Sequence, residues 1–560
     1  MFLRSVTILL LIANTLGRDF LRSKNVHCDV WTPIRTSKIL PPEEPSEVIV
    51  HNSRYNSGYY GGYNSYNQQK KKPEPKVQIL TEYYCTVRNY EFAADREYYI
   101  NDSEDITQLT IEDSSMENLP LKLLAPLVSL KKLTVTNTTL KHVDSIKLRN
   151  LTTLDLSANQ ITSLDEEAFA GCTNLTSINL SSNKIHALNG EPFTNDSEIN
   201  MMDLSKNNIS GISDEVFLNT YITNLNLAYN SFKTLRFDHL ANIENCKTMN
   251  FSHNKIELFH PAYYKLLSLD LSFNELIDID FRDMEIEILY INDNKLKSLS
   301  IGNDFTKLIA YNNHLEDIFL DTSFNTLEMI NLNNNSLGDN LQDICKCTKL
   351  EMLFLNSNNI TDIGFCFAAM KTLKTLKLAR NQISQLNHDS FHMENQIEEL
   401  DLSHNQLEFI DEYTLSVFQH LEKFLLNGNQ LFNFYDNPKY LMPYLNILGL
   451  SHNKFKCSKL FLLLKNVENQ SLNFPIDDAS PVNTTNIQGM ACFQNHEGEL
   501  YKDSADVITQ SARFFWQKLG ALEATVKNVT KLLEEQKNVT DKLANVMRNH
   551  GNSSFSLTDE

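Results

Sequence analysis

One frame of leucines and asparagines recurs along this chain, and it constrains the fold more than any other feature. The frame is L-x-x-L-x-L-x-x-N, and a clean copy places Leu151, Leu154 and Leu156 ahead of Asn159. It returns every 19 to 24 residues, with Ser or Thr closing the first two copies. The closing positions are Ser114, Thr138, Asn159, Asn183, Asn207, Asn230, Asn254, Asn274, Asn294, Asn313, Asn335, Asn358, Asn381, Asn405, Asn429 and Asn453. So many copies in one register predict a repeat architecture.

Each copy predicts one short strand followed by a corner. The leucines of L-x-L point inward and the x residues point outward, and the closing amide can satisfy backbone groups where the chain turns. A single turn cannot bury its leucines, but a stack can. The period is that of leucine-rich repeats. We therefore predict an α/β fold, a solenoid of about sixteen repeats over residues 106–456 with a parallel sheet on its concave face. The 19–20-residue turns between Asn274 and Asn313 predict a change of curvature.

The first residues predict a secretory signal peptide over 1–17. Arg4 supplies the positive charge, residues 6–13 form a short apolar run, and Gly17 offers a small residue before the cut. A buried N-terminal helix is the alternative interpretation. No later segment reaches eighteen uninterrupted apolar residues, so we expect a secreted, extracellular protein.

Residues 18–76 have a different composition from the repeats. The segment carries Pro41-Pro42, a tract rich in Tyr, Gly and Asn over 55–66, and three lysines at 70–72, with no apolar period. We predict a disordered, low-complexity segment that acts as a spacer, with a sticky tyrosine tract as the alternative. Residues 77–105 are assigned to an N-terminal cap.

The cysteines predict disulfide bonds. Nine cysteines in a secreted chain should be partly bridged, and one is left over. Cys345 and Cys366 occupy nearly the same place on adjacent turns, within disulfide reach. The other candidates lie at the ends of the repeats and are Cys28, Cys85, Cys457 and Cys492.

The disulfide partner of Cys492 has two possible assignments, and Cys246 is expected to form no disulfide. Cys457 and Cys492 are able to bridge each other in a C-terminal cap over 457–505. Alternatively, Cys492 reaches a second chain aligned by the segment that follows. Cys246 fills a leucine slot of its repeat and is expected to be a buried thiol.

The segment 506–548 predicts a coiled coil. Apolar residues follow a heptad over this stretch, although a single amphipathic helix docked on the solenoid is the alternative. A polar tail occupies 549–560. The expected coiled-coil interface consists of Phe515, Leu519, Leu522, Val526, Val529, Leu533 and Leu543.

Charge and motifs argue against several functions. The net charge is −20, so nucleic acid is an unlikely partner. The chain has no G-x-S-x-G, phosphate-binding glycine loop or H-E-x-x-H motif. A column of aspartates, such as Asp155 and Asp270, stands in the D-L-S context that the repeat itself favours. We therefore expect no catalysis, no cofactor and no metal.

The outward-facing residues of the strands change from polar to apolar midway along the chain. Asp, Asn and Thr fill these positions up to Asp270, after which large apolar side chains appear. Such residues on a concave surface are typical of protein-binding sites, although bending of the sheet by the short turns could also bury them. We call these positions the concave patch: Ile288, Tyr290, Ile309, Tyr311, Met329, Met352, Phe354 and Lys377.

Acceptor motifs for N-glycosylation are numerous, as expected on a secretory route. The candidates are Asn101, Asn137, Asn150, Asn174, Asn208, Asn359 and Asn483.

Together these features resemble a known family. The run from Leu151 to Phe169, LTTLDLSANQITSLDEEAF, and the C-terminal run ALEATVKNVTKLLEEQKNVTDKL resemble secreted leucine-rich-repeat immune proteins of mosquitoes. The most similar group is the Anopheles Plasmodium-responsive leucine-rich repeat protein family. The tract rich in Tyr, Gly and Asn is also similar, although the Pro-Ala-Asn-Gly-Gly repeat of some members is absent.

The resemblance implies a non-enzymatic haemolymph protein. Members pair through the coiled coil with a related leucine-rich-repeat immune protein. Such pairs carry a complement-like thioester-containing protein in anti-pathogen defence. The family's interchain disulfide maps best onto Cys492. The alternative function is a soluble receptor-like or pattern-recognition module that binds a protein or glycan ligand on its concave face.

Overall fold

A computed structural model describes most of the chain between the two ends. The described residues are 23–25, 33–39, 77–93, 97–100, 105–193, 198–218, 220–240, 243–302, 304–321, 326–468, 470–475, 486–488, 490–493, 527, 530, 531, 536 and 537. The signal peptide, the Tyr-rich tract and the coiled-coil interface predicted above therefore lie outside the described residues.

Short strands dominate the described part of the chain. The strands are β1 Ser23–Asn25, β2 Pro33–Ile39, β3 Val77–Arg88, β4 Glu97–Tyr99, β5 Gln108–Glu112, β6 Lys132–Thr136, β7 His142–Val143, β8 Thr153–Asp155, β9 Ser163–Leu164, β10 Ser177–Asn179, β11 Glu198–Asp203, β12 Thr220–Asn226, β13 Thr234–Arg236, β14 Ile243–Glu244, β15 Thr248–Asn250, β16 Leu258–His260, β17 Lys265–Asp270, β18 Asp278–Phe281, β19 Glu285–Tyr290, β20 Ser298–Ile301, β21 Lys307–Ile309, β22 Asp317–Leu320, β23 Met329–Asn331, β24 Met352–Phe354, β25 Thr375–Lys377, β26 Glu399–Asp401, β27 Lys423–Leu425, β28 Ile447–Gly449, β29 Asn486–Ile487 and β30 Met490–Ala491. The helices are α1 Leu121–Leu124, α2 Glu412–Ser416, α3 Pro438–Leu441 and α4 Cys457–Val467.

The first strand of each turn joins one long parallel sheet, as the repeat predicted. Neighbouring strands pair in the same register throughout, so that Leu154 stands beside Ile178 and Met202 follows it. The inward side chains are almost completely buried and form one continuous core. The middle outward positions of the sheet, in order, are Thr110, Thr134, Asp155, Asn179, Asp203, Asn226, Asn250, Asp270, Tyr290, Ile309, Asn331, Phe354, Lys377, Asp401, Leu425 and Gly449. The predicted leucine-rich-repeat solenoid is confirmed.

The closing asparagines form a buried ladder that links successive turns. The Nδ2 group of Asn183 donates to the carbonyl oxygen of Leu180 at 3.0 Å and to that of Leu156, one turn earlier, at 2.9 Å. Its Oδ1 accepts the backbone N–H of Ile161 at 3.0 Å. The same pattern recurs from turn to turn, because a buried polar group is costly unless every partner is present.

A left-handed backbone residue stands directly before each closing position. Most of these residues are not glycine, and they include Ala158, Tyr229 and Phe273, with φ values of 54°, 56° and 55°. This conformation costs free energy for a side chain that carries Cβ. The hydrogen bonds of the asparagine ladder stabilise the corner and so maintain this left-handed backbone conformation.

On the side of the solenoid away from the main sheet, the short and the long turns have different structures. In the short turns, β18, β20 and β22 form a three-stranded parallel sheet. In the longer turns, stacked phenylalanines fill this side, and Phe193 lies 5.7 Å from Phe169 and 6.0 Å from Phe217 between ring centroids. The curvature expected of the short turns remains a prediction.

The two ends of the solenoid are covered differently. At the first end, β2 pairs antiparallel with β3, and β1 pairs with β4. β1 and β2 lie within residues 18–76, for which we predicted disorder. The prediction therefore does not hold for these two strands, because their backbones pair with β4 and β3. At the other end, α4 buries Leu460 and Leu463 against the last turn.

Candidate functional site

The structure brings most of the concave patch into two adjacent columns of the sheet. In one column Ile288 is followed by Lys307, and then by Met329 and Met352. In the next column Tyr290 is followed by Ile309, Asn331 and Phe354. Parallel strands lie about 4.8 Å apart, so six apolar side chains cluster over four strands, with Lys307 and Asn331 among them.

The concave patch is partly accessible. Tyr290 is 37 % exposed, and the other members are half-buried. Side chains within each column therefore cover one another, but their outer surface stays open. The side chains are half-buried and still present an outer surface, so both interpretations of the sequence stay predictions.

Tyr311 lies beyond its strand, near the corner of the turn. Burial raises the pKa of Tyr311, and the carboxylates of Asp293 and Asp270 add to this effect. The phenol is therefore a neutral hydrogen-bonding group at neutral pH. It places a polar tip at the margin of the apolar columns.

Lys377 is tied into an ion-pair network. Its ammonium contacts the carboxylate of Glu399, which also accepts from Lys423 Nζ at 2.7 Å. Burial alone would raise the pKa of Glu399, but the hydrogen bonds from the two lysines outweigh it and lower that pKa. The charge of Lys377 is thus compensated, and its position in the sheet is beside Phe354.

The outward aspartates have a structural task. Asp155 Oδ1 accepts the backbone N–H of Ser157 at 3.0 Å, and Asp203 does the same for Ser205 at 2.9 Å. Asp270 accepts both the N–H and the hydroxyl of Ser272. The carboxylate thus closes a turn where the chain leaves the strand, which explains the recurrence of D-L-S. These oxygens are also separated by strand spacings and do not converge on a common point.

A second aromatic feature was not anticipated from the sequence. The rings of Tyr229, His253 and Phe273 stack with centroid distances of 4.0 and 4.2 Å and interplanar angles of 9° and 8°. We call them the aromatic ladder. Each occupies the left-handed position before a closing asparagine, so the signal was present in three successive copies of the frame. Tyr229 is 49 % and Phe273 is 43 % exposed, so the ladder extends the apolar surface beside the concave patch.

A groove opens where the period falls from 24 to 20 residues. It has a volume of about 1070 Å³, and Tyr263, Tyr264 and Leu267 contribute its apolar surface. Tyr263 donates to Glu285 at 2.9 Å, and Lys265 donates to the same carboxylate at 2.8 Å. The groove lies near the start of β17, at the opposite end of the strands from the aromatic ladder.

The disulfides are distributed over the repeats and the C-terminal cap. Cys345 is bonded to Cys366, and Cys457 is bonded to Cys492. Cys85 is also disulfide-bonded; Cys28, the other candidate ahead of the repeats and a possible partner for it, lies outside the described residues. The expectation that the chain carries disulfides is confirmed.

The bond between Cys457 and Cys492 corrects one assignment. A sulfur that already forms a disulfide within the chain has no thiol left for a second chain, so the interchain role of Cys492 is not supported. The physical reason is that α4 begins at Cys457 and the backbone of that residue pairs with Phe493, which brings Cys492 alongside.

Three cysteines of the described residues carry buried thiol groups. They are Cys172, Cys246 and Cys347. Burial raises the pKa of Cys246 and of Cys347 to about 12. A thiol with such a pKa is almost entirely protonated at neutral pH and is a poor nucleophile.

The structure describes five of the seven glycosylation candidates. Asn101 and Asn483 lie outside the described residues. Those that the structure describes are all exposed, and they are Asn137, Asn150, Asn174, Asn208 and Asn359. Their modification stays a prediction. Among the described residues, no helix is both long and apolar enough to cross a bilayer.

Comparison with known proteins agrees with the architecture. The family model described as leucine rich repeat matches residues 128–185, 149–209, 173–220, 348–407 and 371–431. These segments hold the frame from which the fold was predicted. The chain thus carries segments that match the leucine-rich-repeat model within residues 128–220 and 348–431.

Two solved structures share the fold. A crystal structure of an LRIM1/APL1C complex has a TM-score of 0.52 at 20 % identity, covering 85 % of this chain and 82 % of that chain. A crystal structure of the APL1 leucine-rich repeat domain has a TM-score of 0.50 at 20 % identity, covering 74 % of this chain and all of that domain. At this identity the likeness concerns the fold.

Curated relatives match shorter stretches. Lumican of Gallus gallus is 28 % identical over 202 residues, which is 35 % of this chain and 52 % of lumican. The leucine-rich repeats and immunoglobulin-like domains protein 3 of Homo sapiens is 29 % identical over 158 residues, which is 26 % of this chain and 14 % of that protein. The chain thus spans about half or less of the length of these relatives.

Proposed function

We propose that this protein is a secreted, non-enzymatic immune scaffold that grips a protein partner with its concave patch. The single observation that carries the proposal is the clustering of six apolar side chains on four neighbouring strands, interrupted only by Lys307 and Asn331. The six are Ile288, Tyr290, Ile309, Met329, Met352 and Phe354. In the strands before it, the column that leads to Tyr290 carries only Asp, Asn and Thr, and the column that leads to Ile288 includes Ser177, Met201 and Ser268. An apolar region on an otherwise polar sheet face is characteristic of a binding surface.

The size of the surface agrees with the centre of an interface. Four strands at about 4.8 Å span roughly 20 Å, and two outward positions along a strand add about 7 Å. This gives roughly 140 Å², against about 800 Å² on each partner in a standard interface. The aromatic ladder and the polar residues around it would form the rim, and aromatic and Met side chains are enriched in such centres.

The first proposed partner is a related leucine-rich-repeat protein. Support comes from the resemblance described above and from the shared fold of the LRIM1/APL1C complex. In this proposal the segment 506–548 pairs the two chains as a coiled coil, without a disulfide at Cys492. The pair then binds a complement-like thioester-containing protein in the haemolymph, and the concave patch is the contact surface for that protein.

Paired variants test the proposal. Tyr290→Ala together with Phe354→Ala removes the two aromatic anchors, while Tyr413→Ala removes a tyrosine of 55 % exposure on α2. Wild-type and variant proteins are used to capture partners from haemolymph, and mass spectrometry identifies them. The double variant should lose the thioester-containing protein and retain the leucine-rich-repeat partner, whereas Tyr413→Ala should retain both. Retention of both partners by the double variant would refute the role of the concave patch.

A second candidate function is a receptor-like module that acts as a single chain and binds its ligand directly. The open aromatic ladder favours it, because it enlarges the apolar surface without any second chain. Light scattering separates the two functions. A monomer at micromolar concentration that still captures its ligand through Tyr290 and Phe354 supports this second candidate.

A further inference from the structure

Three potential metal ligands converge at the side of the solenoid, far in sequence from the concave patch. β7 and β9 are parallel neighbours in which His142 pairs with Ser163 and Val143 pairs with Leu164. Asp144 and Asp165 each follow one of these strands, so they occupy equivalent places on successive turns. The ligand atoms of His142, Asp144 and Asp165 all lie within 4.8 Å of one another.

The imidazole of His142 is held in one orientation. Its Nδ1 lies 2.9 Å from the hydroxyl oxygen of Ser163. Its Nε2 lies 2.9 Å from Asp165 Oδ1 and 3.6 Å from Asp144 Oδ1. In this arrangement Nε2–H donates to Asp165 Oδ1. A metal ion that replaces this proton would bind Nε2, and Nδ1–H would then donate to the Ser163 hydroxyl, as an outer-shell partner of a histidine ligand does.

The negative charge at this place is not balanced by a lysine or arginine. Among the described residues, no such side chain forms an ion pair with Asp144 or Asp165, and His142 is the only ionisable partner of both. The next carboxylate along this side, Glu117, is compensated by Lys141 at 2.7 Å. Two carboxylates that share one imidazole therefore form a local site for a cation.

We propose that His142 Nε2 and one oxygen each from Asp144 and Asp165 bind a zinc-class divalent metal ion. Zinc takes such ligands at about 2.0–2.2 Å in tetrahedral geometry, which places neighbouring ligand atoms roughly 3.3 Å apart. The distance from Nε2 to Asp144 is 3.6 Å, close to this value, and the 2.9 Å to Asp165 has to widen by a few tenths of an ångström.

The ligand set also argues for the metal class. Calcium and magnesium prefer oxygen ligands alone, whereas an imidazole nitrogen suits zinc and its transition-metal neighbours. The three side chains are 36 %, 37 % and 43 % exposed, so the fourth position faces solvent. A bound ion would join two successive turns, and its open position can accept water or a donor group of a bound molecule.

Titration of the untagged full chain with Zn²⁺ tests the site. After dialysis against a chelator, isothermal calorimetry should show saturable binding at one ion per chain, and Co²⁺ should give the visible absorption of a tetrahedral site. His142→Gln removes a direct ligand and should weaken Zn²⁺ binding by roughly 100-fold or more, because loss of an outer-shell partner alone costs about 10–100-fold. His186→Gln is the control, because His186 is exposed on the following turn and its loss should leave binding unchanged.

A second variant keeps the test decisive if His142→Gln fails to fold. Asp165→Asn preserves shape and removes one ligand charge, so it should weaken Zn²⁺ binding while circular dichroism stays unchanged. Absence of saturable binding by the wild-type protein would overturn the proposal. Equal Zn²⁺ affinity in wild type and in a folded Asp165→Asn or His142→Gln variant would overturn it as well.

Discussion

Asn381 offers the sharpest test of how the solenoid is held together. Its Oδ1 accepts the backbone N–H of Asn358 at 2.9 Å and that of Ile360 at 3.0 Å. Its Nδ2 donates to the carbonyl oxygens of Leu355 and Leu378, both at 2.9 Å. The side chain is 6 % exposed, so water cannot easily replace these partners.

Asn381→Leu keeps the approximate shape and removes every one of these hydrogen bonds. A buried group left without a partner costs about 1–3 kcal/mol. The backbone N–H groups of Asn358 and Ile360 would lose their acceptor, while the two carbonyl groups can relax in part. We therefore expect the free energy of unfolding to fall by about 3–5 kcal/mol. Because neighbouring turns support one another, the loss should be concentrated in the turns around residue 381.

The measurement combines urea unfolding with amide hydrogen exchange. The midpoint should fall, and the amide of Ile360 should lose its protection. Gln382→Ala is the matched control, because Gln382 is the exposed neighbour and its side chain is absent from the ladder; its unfolding curve should match wild type. A loss below about 1 kcal/mol for Asn381→Leu, with Ile360 still protected, would refute the idea that the ladder stabilises the corners.

Three further predictions follow from the disulfides, the ion pairs and the buried thiols. Replacing Cys345 and Cys366 by Ser should lower the free energy of unfolding by about 3 kcal/mol, the amount expected for a loop of 21 residues; an unchanged urea midpoint would contradict this. The pKa of Glu399 is lowered in the folded state, so its stabilising contribution is present above the unfolded pKa and is lost as pH falls through the folded pKa. Glu399→Gln should therefore narrow the stability difference between pH 7 and pH 3, and an identical pH profile in the variant would count against the network. Cys246, whose pKa is raised to about 12, should resist iodoacetamide at pH 8 in the native protein and react after unfolding, as peptide mass mapping can determine.

The core of this molecule could be predicted from the sequence because its information is local. Leu154 and Leu156 are spaced as neighbouring inward positions of one strand, and Asn159 stands where that strand turns. Each requirement is met within a few residues and then repeated along the chain. The register of the sheet and the membership of the concave patch follow from counting such copies.

Other features could not be predicted from residue spacing, because they depend on the geometry of individual side chains. The sequence placed Lys377 beside Phe354, but only the structure shows that its charge is bound by Glu399. The sequence left Cys492 with two partners, and the packing of α4 against the last turn favours Cys457. Ion pairs and disulfides depend on a few ångströms, which residue counting does not resolve.

The sequence by itself determined that this chain is a stack of turns, which side chains face inward, and where an apolar surface interrupts the polar columns. Tertiary structure alone decided that Tyr229, His253 and Phe273 stack, and that His142 faces two carboxylates from successive turns. The physical reason is that burial follows from a one-dimensional period. Contacts between exposed side chains of different turns depend instead on rotamers and on the exact height at which one turn rests on the next.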